Sequence, residues 1–390
     1  MPPIVKIEGE RREVLRQRLR ELGFDEVRFA TVENENARGL KDWLGAGMHA
    51  DMAWMERTAD KRTQADLVLP GVRSVIILGV NYWAGAAVEQ TISAAAKPRW
   101  ARYALNEDYH DTMRPGLVAA GRILEEMAGV ATDDYRFYTD TGPVLERGWA
   151  ARSGLGFRGK NAMLISKTYG NWLFLASILT KVEIAPDASL RKEALGPDEG
   201  ERAGLLCGKC TRCLDACPTN AFSAPGVVDA RRCISYQTIE NKGIIPRELR
   251  AGIGARVYGC DVCLEVCPWN RFAQQGRQLL LAARFELADL SLREILALTP
   301  VRFAEVFRRT PIKRLKLRGL LRNACVVAGN SGDVSLLPDV IRLASHETEM
   351  VRAHAVWAVQ RLAGNEAFAL LEAERSRETD PAVLAEYAAG

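Results

Sequence analysis

Residues 207–222 read CGKCTRCLDACPTNAF and residues 260–272 read CDVCLEVCPWNRF. The first contains Cys207-x2-Cys210-x2-Cys213-x3-Cys217-Pro218, the spacing of bacterial ferredoxins, whose thiolates hold [4Fe–4S] clusters. Two-residue gaps let three sulfurs converge from one tight loop on three corners of a cube, while the fourth cysteine, displaced to the start of a helix, reaches the other cluster. Structural zinc would favour two CxxC pairs without a trailing Cys-Pro. A chain with this spacing must fold its loops around inorganic clusters.

The second copy aligns from its end. Cys267-Pro268 matches Cys217-Pro218, Cys263 matches Cys213 and Cys260 matches Cys210, but Val257 stands where the first cysteine belongs. Cys233, in RRCISYQT, is the one unassigned cysteine inside the module. The expected ligand sets are therefore Cys207, Cys210, Cys213 and Cys267 for cluster one, and Cys217, Cys233, Cys260 and Cys263 for cluster two. Cys325 lies on a helix that reads as core and is expected to be a buried thiol.

Eight of the nine cysteines fall between 207 and 267, and such clustering reads as metal binding in a reducing compartment. The N-terminus mixes Glu and Arg without an apolar signal region, and the longest apolar run, WLFLASIL at 172–179, is too short to span a membrane. A cytosolic location and no membrane partner are expected. The net charge of +4 is only a weak pointer to an anionic partner.

With 390 residues, two or three domains are expected. Residues 10–22 have helical apolar spacing closed by Gly23, EVRFATV reads as a strand, SVIILGVNY (74–82) as a buried strand, and 111–128 as a helix. YRFYTDTGP reads as a strand ending in a turn, and NAMLIS and NWLFLASILT as a hairpin across Tyr169 and Gly170. The fold expected for 1–195 is mixed α/β or α+β. A Pro-, Asp-, Glu- and Gly-rich stretch at about 185–203 reads as a linker, 196–275 as the ferredoxin-like module, and 276–390 as all-helical. LRNACVVAGN (from 321), VRAHAVWAVQRLAG (351) and PAVLAEYAAG (381) recur at about 30 residues, the pattern of a short HEAT-like solenoid; the alternative is an irregular bundle.

Gly154, Gly156 and Gly159 fit G-x-G-x-x-G, but no clean strand precedes them and no helix follows, so the context of a dinucleotide site is missing. They more naturally admit backbone close to a large ligand or a packed neighbour. Asp108-x-His110 begins like the cobalamin-ligating D-x-H-x-x-G motif but lacks its glycine. Asp140, past a strand and before a Gly-Pro turn, suits either an Asx-turn or, against an apolar cofactor, a carboxyl of raised pKa that donates a proton.

The segments WMER…KR (54–62), DYH (108–110), DTGPVLER (140–147), SGLGFRGKN (153–161), the cysteine module with Cys233, and RRTPIKRLKLRGLLRNA (308–324) together resemble the epoxyqueuosine reductases over almost the whole chain. That family is similar in its core to reductive dehalogenases, carries cobalamin with two [4Fe–4S] clusters, and performs the last step of queuosine synthesis on tRNA. The resemblance implies a cobalamin-binding catalytic domain, Asp140 as proton donor, and base-off cobalamin without a protein His ligand. It also places Arg57, Tyr109, His110, Lys160, Asn161, Ser235 and Asp261 in segments lining the corrinoid. LNED at 105–108 departs from the family, which more often has a glycine-bearing turn there.

Arg302, Arg308, Arg309, Lys313, Arg314, Lys316, Arg318 and Arg322 stand against one acid, Glu305, between 301 and 324. Such a run is often only a solvated face. On a helical repeat it forms a phosphate-tracking surface, and Arg308, Arg309, Lys313, Arg314, Lys316, Arg318 and Arg322 are expected to contact tRNA. Glu240, Asn241 and Lys242 are expected near the substrate nucleoside or its neighbours. With no nucleotide motif, electrons must come from a separate flavodoxin- or ferredoxin-type donor. A monomer acting on the anticodon stem-loop is the expected form. The competing readings are a small-molecule corrinoid reductase of the dehalogenase kind and a non-enzymatic iron–sulfur carrier.

Overall fold

The computed structural model describes residues 5–32, 37–86, 98–190, 195–196, 200–201 and 203–389. Four antiparallel strands form a central sheet: β1 (Glu26–Thr31), β2 (Ser74–Asn81), β3 (Tyr135–Tyr138) and β4 (Leu173–Thr180), in the order β1-β2-β4-β3. β2 is buried at every position, which suits an inner strand covered on both faces. Alternation sorts its side chains. Ile76, Leu78 and Val80 join the core beneath α1 (Gly9–Glu21) and α2 (Tyr109–Ala128), while Val75 and Ile77 meet α3 (Glu146–Arg152) through Trp149 and Ala150.

The expected strands at EVRFATV, SVIILGVNY and YRFYTDTGP are present, as are both long helices. The expected hairpin is not. Leu164–Ile165 pairs with Phe157–Arg158, and β4 lies between β2 and β3; a single bridge between Ser166 and Gly170 is what joins the two segments. A strand as apolar as LFLASILT is satisfied only with partners on both edges, which a two-residue strand does not provide.

The cysteine segment wraps two short helices, Arg212–Asp215 and Val262–Glu265, against each other. Between them run α4 (Ile234–Ile239), α5 (Arg247–Ile253) and the short strand Arg256–Tyr258, which pairs in parallel with Arg99–Trp100. Apart from the bridge between Asn106 and Ala283, the described residues after Tyr258 are helices, turns and coil. α6 (Lys316–Ser331) packs on α7 (Glu349–Ala363), and α7 on α8 (Pro381–Ala388).

This helical tail shares one core with the later half of the cysteine module: Ile234, Leu249, Val257 and Tyr258 pack with Leu320, Ala324 and Val356. Buried polar groups tie the same boundary. Arg250 is wholly buried and pairs with Glu386, and neutral His354 accepts from the Ile245 amide at 3.1 Å. Part of the expected linker, 191–194, 197–199 and 202, lies outside the described residues. Among the described residues no helix is long and apolar enough to cross a membrane.

Candidate functional site

The eight clustered cysteines are free thiols brought into two groups. Cys207, Cys210, Cys213 and Cys267 line one cavity of about 120 Å³ together with Lys160 and Trp269. Lys160 clamps this loop, its ammonium donating to the carbonyls of Gly208 at 2.8 Å and Cys210 at 3.0 Å. Cys233 lies within electrostatic reach of Cys217, Cys260 and Cys263. Burial pushes the Cys260 thiol up to about 11 and Cys263 well above its ordinary value. Buried sulfurs of this kind become thiolates only against a cationic centre, as iron supplies. Among the described residues no three His, Cys, Asp or Glu side chains close in as they would on a single ion; a cubane instead needs its sulfurs spread around its corners.

Val257, at the position of the missing cysteine, is fully buried in the core shared with the helical tail. Cys233 comes from the turn before α4, its sulfur near the backbone N–H groups of Ser235 and Tyr236. Asp261, beside Cys260, accepts from the Arg102 backbone N–H at 2.7 Å and lies 3.4 Å from the Arg102 guanidinium. Asn161 is buried and donates to the Cys263 carbonyl at 3.2 Å. Thus Ser235 and Asp261 lie along the second group, Lys160 lies at the first, Asn161 stands between the two, and Arg57 stands exposed at the end of the helix Ala53–Arg57.

A second constellation sits where β3 meets α2. Asp140 follows the strand in a left-handed conformation, φ +58°, which is costly for a non-glycine residue and recurs at functional sites. Its carboxylate, 69% exposed, accepts from the Tyr109 hydroxyl at 2.7 Å and lies 3.9 Å from His110 Nε2. Burial first, and then the Asp140 charge, pushes the Tyr109 phenol far above its usual range, so it stays a neutral donor. Its ring stacks on Phe174 of β4 at 4.3 Å. Asp108 caps α2 and lies 2.6 Å from His110 Nδ1. Burial would raise Asp108, but His110 and the Arg314 charge hold it below the usual carboxylate range. Three buried polar atoms around Asp140 have no hydrogen-bond partner: His110 Nε2, Thr139 Oγ1 and Glu146 Oε1.

Glu146 was not singled out in the sequence. Its residue is only partly buried, yet its orphaned oxygen lies inside, and burial lifts the carboxyl to about 7. The signal was the acid of DTGPVLER set directly after an apolar pair. The glycines of SGLGFRGKN face packed neighbours: a Cβ at Gly154 would meet the Ala188 carbonyl, and one at Gly156 the Ile165 carbonyl.

The basic segment reaches this constellation. The Asp108 amide donates to the Arg309 carbonyl at 2.6 Å, Arg314 lies 2.9 Å from His110 Nδ1, and Arg309 pairs with Glu107 at 2.9 Å. The unusual LNED turn is therefore the point where the helical tail docks. Arg308, Arg309, Lys313, Arg314, Lys316 and Arg318 are exposed.

Arg322 corrects the expectation of a phosphate contact. It is 0% exposed and donates to the carbonyls of Gln237, Asn241 and Gly243. Those three acceptors compensate its burial, and no phosphate can reach it. It shapes the segment that carries Glu240, Asn241 and Lys242. Asn241 donates to the Gln237 side chain at 2.6 Å, and Lys242 to the Ile239 carbonyl at 2.7 Å.

Known proteins share these features. The model described as "4Fe-4S double cluster binding domain" matches residues 206–270, and that described as "Epoxyqueuosine reductase QueG, DUF1730" matches 62–141. An epoxyqueuosine reductase of Vibrio cholerae is 36% identical, covering 87% of this chain and 89% of its own; that of Escherichia coli is 34% identical, covering 87% and 86%. A crystal structure of an epoxyqueuosine reductase with an epoxyqueuosine-modified tRNA-Tyr stem loop superposes with a TM-score of 0.78 at 28% identity over 96% of each chain. The Bacillus subtilis enzyme, with its aspartate catalytic loop swung out of the active site, gives 0.77 at 29% identity over 96% of each chain. With mixed α/β architecture and a module for two [4Fe–4S] clusters, this chain belongs to the epoxyqueuosine reductase family, a family of oxidoreductases.

Proposed function

We propose that this chain reduces the epoxycyclopentanediol ring of epoxyqueuosine in tRNA to the cyclopentene of queuosine, with Asp140 as proton donor. One observation carries the reading: the acid array of Tyr109, His110 and Asp140 is joined to an exposed basic segment through Arg309 and Arg314. A small-molecule reductase has no use for that segment, and an electron carrier has no use for the acid. The proposed organisation is a cobalamin-binding domain over 1–195, a ferredoxin-like module over 196–275 and a HEAT-like tRNA-binding domain over 276–390, acting as a cytoplasmic monomer.

Cluster one would be held by Cys207, Cys210, Cys213 and Cys267, and cluster two by Cys217, Cys233, Cys260 and Cys263. Base-off cobalamin fits beside the acid array, where His110 Nε2, Thr139 Oγ1 and Glu146 Oε1 are buried polar atoms that a ligand rich in amides would complete. Tyr109, His110, Asn161 and Ser235 would hold it, with Arg57 at the rim and Lys160 and Asp261 fixing the cysteine loops alongside. When bound, cobalamin supplies low-potential electrons to the substrate ring. His110 Nδ1 is engaged by Asp108 and Arg314, which in this reading leaves its buried Nε2 to an amide of the corrinoid.

Arg308, Arg309, Lys313, Arg314, Lys316 and Arg318 would grip phosphates while Glu240, Asn241 and Lys242 meet the presented nucleoside or its neighbours. Conversion of the epoxide to the alkene takes two electrons and two protons and releases the oxygen as water. Negative charge develops on that oxygen as the ring opens, and Asp140 protonates it. The neutral Tyr109 hydroxyl holds the carboxyl in position. The electrons would come from an external flavodoxin- or ferredoxin-type donor.

The test is an anaerobic assay with epoxyqueuosine-containing tRNA, cobalamin and a chemical reductant, read by nucleoside mass. Wild-type protein is expected to form queuosine, and Asp140→Ala to lower the rate by roughly 10²–10⁴-fold. No queuosine from wild-type protein overturns the function; undiminished product from Asp140→Ala overturns only the role of the acid.

A further inference from the structure

We propose that the solvent face beside Cys267 is a docking surface for a small acidic flavoprotein of the flavodoxin kind, which delivers electrons singly to the first cysteine set. The proposal rests on the reading of the chain as an iron–sulfur reductase. Cys267 and Pro268 border two spaces at once: the cavity shared with Cys207, Cys210 and Cys213, and an open cleft of about 730 Å³ whose walls include Arg212, Asp215, Glu265 and Arg271. That cleft brings solvent to the edge of the first set.

The charges around it are unequal in availability. Glu265 is held by Arg102 at 2.5 Å and lies 3.6 Å from Arg99, whereas Asp215 is exposed and accepts from the Thr211 hydroxyl at 2.7 Å, so one carboxylate stands against the exposed cations. Lys209, Arg212 and Arg271 are exposed. Arg271 lies 4.6 Å over the ring of Phe272, which is 42% exposed. One exposed aromatic ring beside a surplus of exposed cations, Lys209, Arg212 and Arg271 against Asp215, forms the complement of a carrier whose flat, apolar flavin edge is ringed by carboxylates. Charge complementarity of this sort speeds encounter and orients a weak, small interface, the usual form of redox partnerships. Beside the second set, the residues that follow Cys233, namely Ile234, Tyr236, Gln237 and Thr238, are buried.

The transfer balances without a proton. The anionic flavin hydroquinone loses one electron and becomes the neutral radical, while the [4Fe–4S]²⁺ core gains it and becomes [4Fe–4S]⁺.

The experiment uses holoenzyme and a bacterial flavodoxin, with binding measured by calorimetry at low and high salt and electron acceptance by stopped-flow absorbance. Wild-type affinity is expected to fall with salt. The double variant Arg212→Glu/Arg271→Glu is expected to raise Kd by at least about tenfold and to lose the salt dependence, whereas Arg271→Lys keeps wild-type affinity. Iron content and the rate of reduction by dithionite are expected to stay unchanged. Wild-type binding that is indifferent to salt, or an unchanged Kd in the charge-reversed holoenzyme, overturns the surface. An acidic ferredoxin that loses affinity in the double variant while flavodoxin does not overturns the choice of partner. Failure of dithionite-driven queuosine formation sinks the functional reading and leaves the binding result standing.

Discussion

The first cysteine set is carried mostly by one loop, and the second is assembled from three separate segments. Cys207, Cys210 and Cys213 lie within one turn-and-helix unit clamped by Lys160. Cys217 follows that unit, but the segments that carry Cys233 and the Cys260–Cys263 pair are held in register by side chains from the helical tail. Asn323 donates to the carbonyls of Thr238 and Val257, both at 2.8 Å, and Arg322 to those of Gln237, Asn241 and Gly243. The tail therefore does more than carry the exposed cations of 308–318. Its core forms a scaffold for the segments that carry Cys233 and the Cys260–Cys263 pair.

This difference is open to direct attack, beginning with the largest effect. Glu386→Gln leaves the buried Arg250 guanidinium without its carboxylate and is expected to cost about 3–5 kcal/mol in denaturant unfolding of the holoenzyme. Iron should leave the second set before the first; simultaneous loss, or a stability change near zero, breaks the comparison. Asn323→Ala removes the donor from two buried carbonyls and is expected to cost about 1–3 kcal/mol, again with the second set more labile to chelator. Lys160→Met should have the smallest effect on global stability, about 1 kcal/mol or less, while making the first set alone more sensitive to chelator or oxygen. A global loss as large as that of Glu386→Gln would show that the two sets are equally dependent on distant packing.

Much of this division was legible in the sequence because cysteine spacing is local information. The ferredoxin pattern, Val257 in place of a cysteine and Cys233 as the remaining candidate all follow from counting along the chain. Strand β2 was equally plain, since eight buried residues bounded by polar ones leave few alternatives. The partners of β4 were not legible, because pairing depends on which edge the sheet leaves open and not on the segment itself. Arg322 was misread for a related reason. Its charge looks like that of Arg318 one turn earlier, and only the fold supplies three carbonyls to receive it. Asp140 illustrates the opposite case: the Gly-Pro turn after it located the acid, while its left-handed backbone and the Tyr109 hydroxyl that fixes it came into view with the structure.

The most direct test of the assembled inner set is the iron and sulfide content of Cys233→Ala, paired with the paramagnetic resonance spectrum after dithionite reduction. Wild-type protein is expected to carry about eight irons in two cubes, and the variant about four, with the first set's signal intact and no queuosine formed. Retention of both clusters in Cys233→Ala, or loss of the first set in place of the second, would contradict the account.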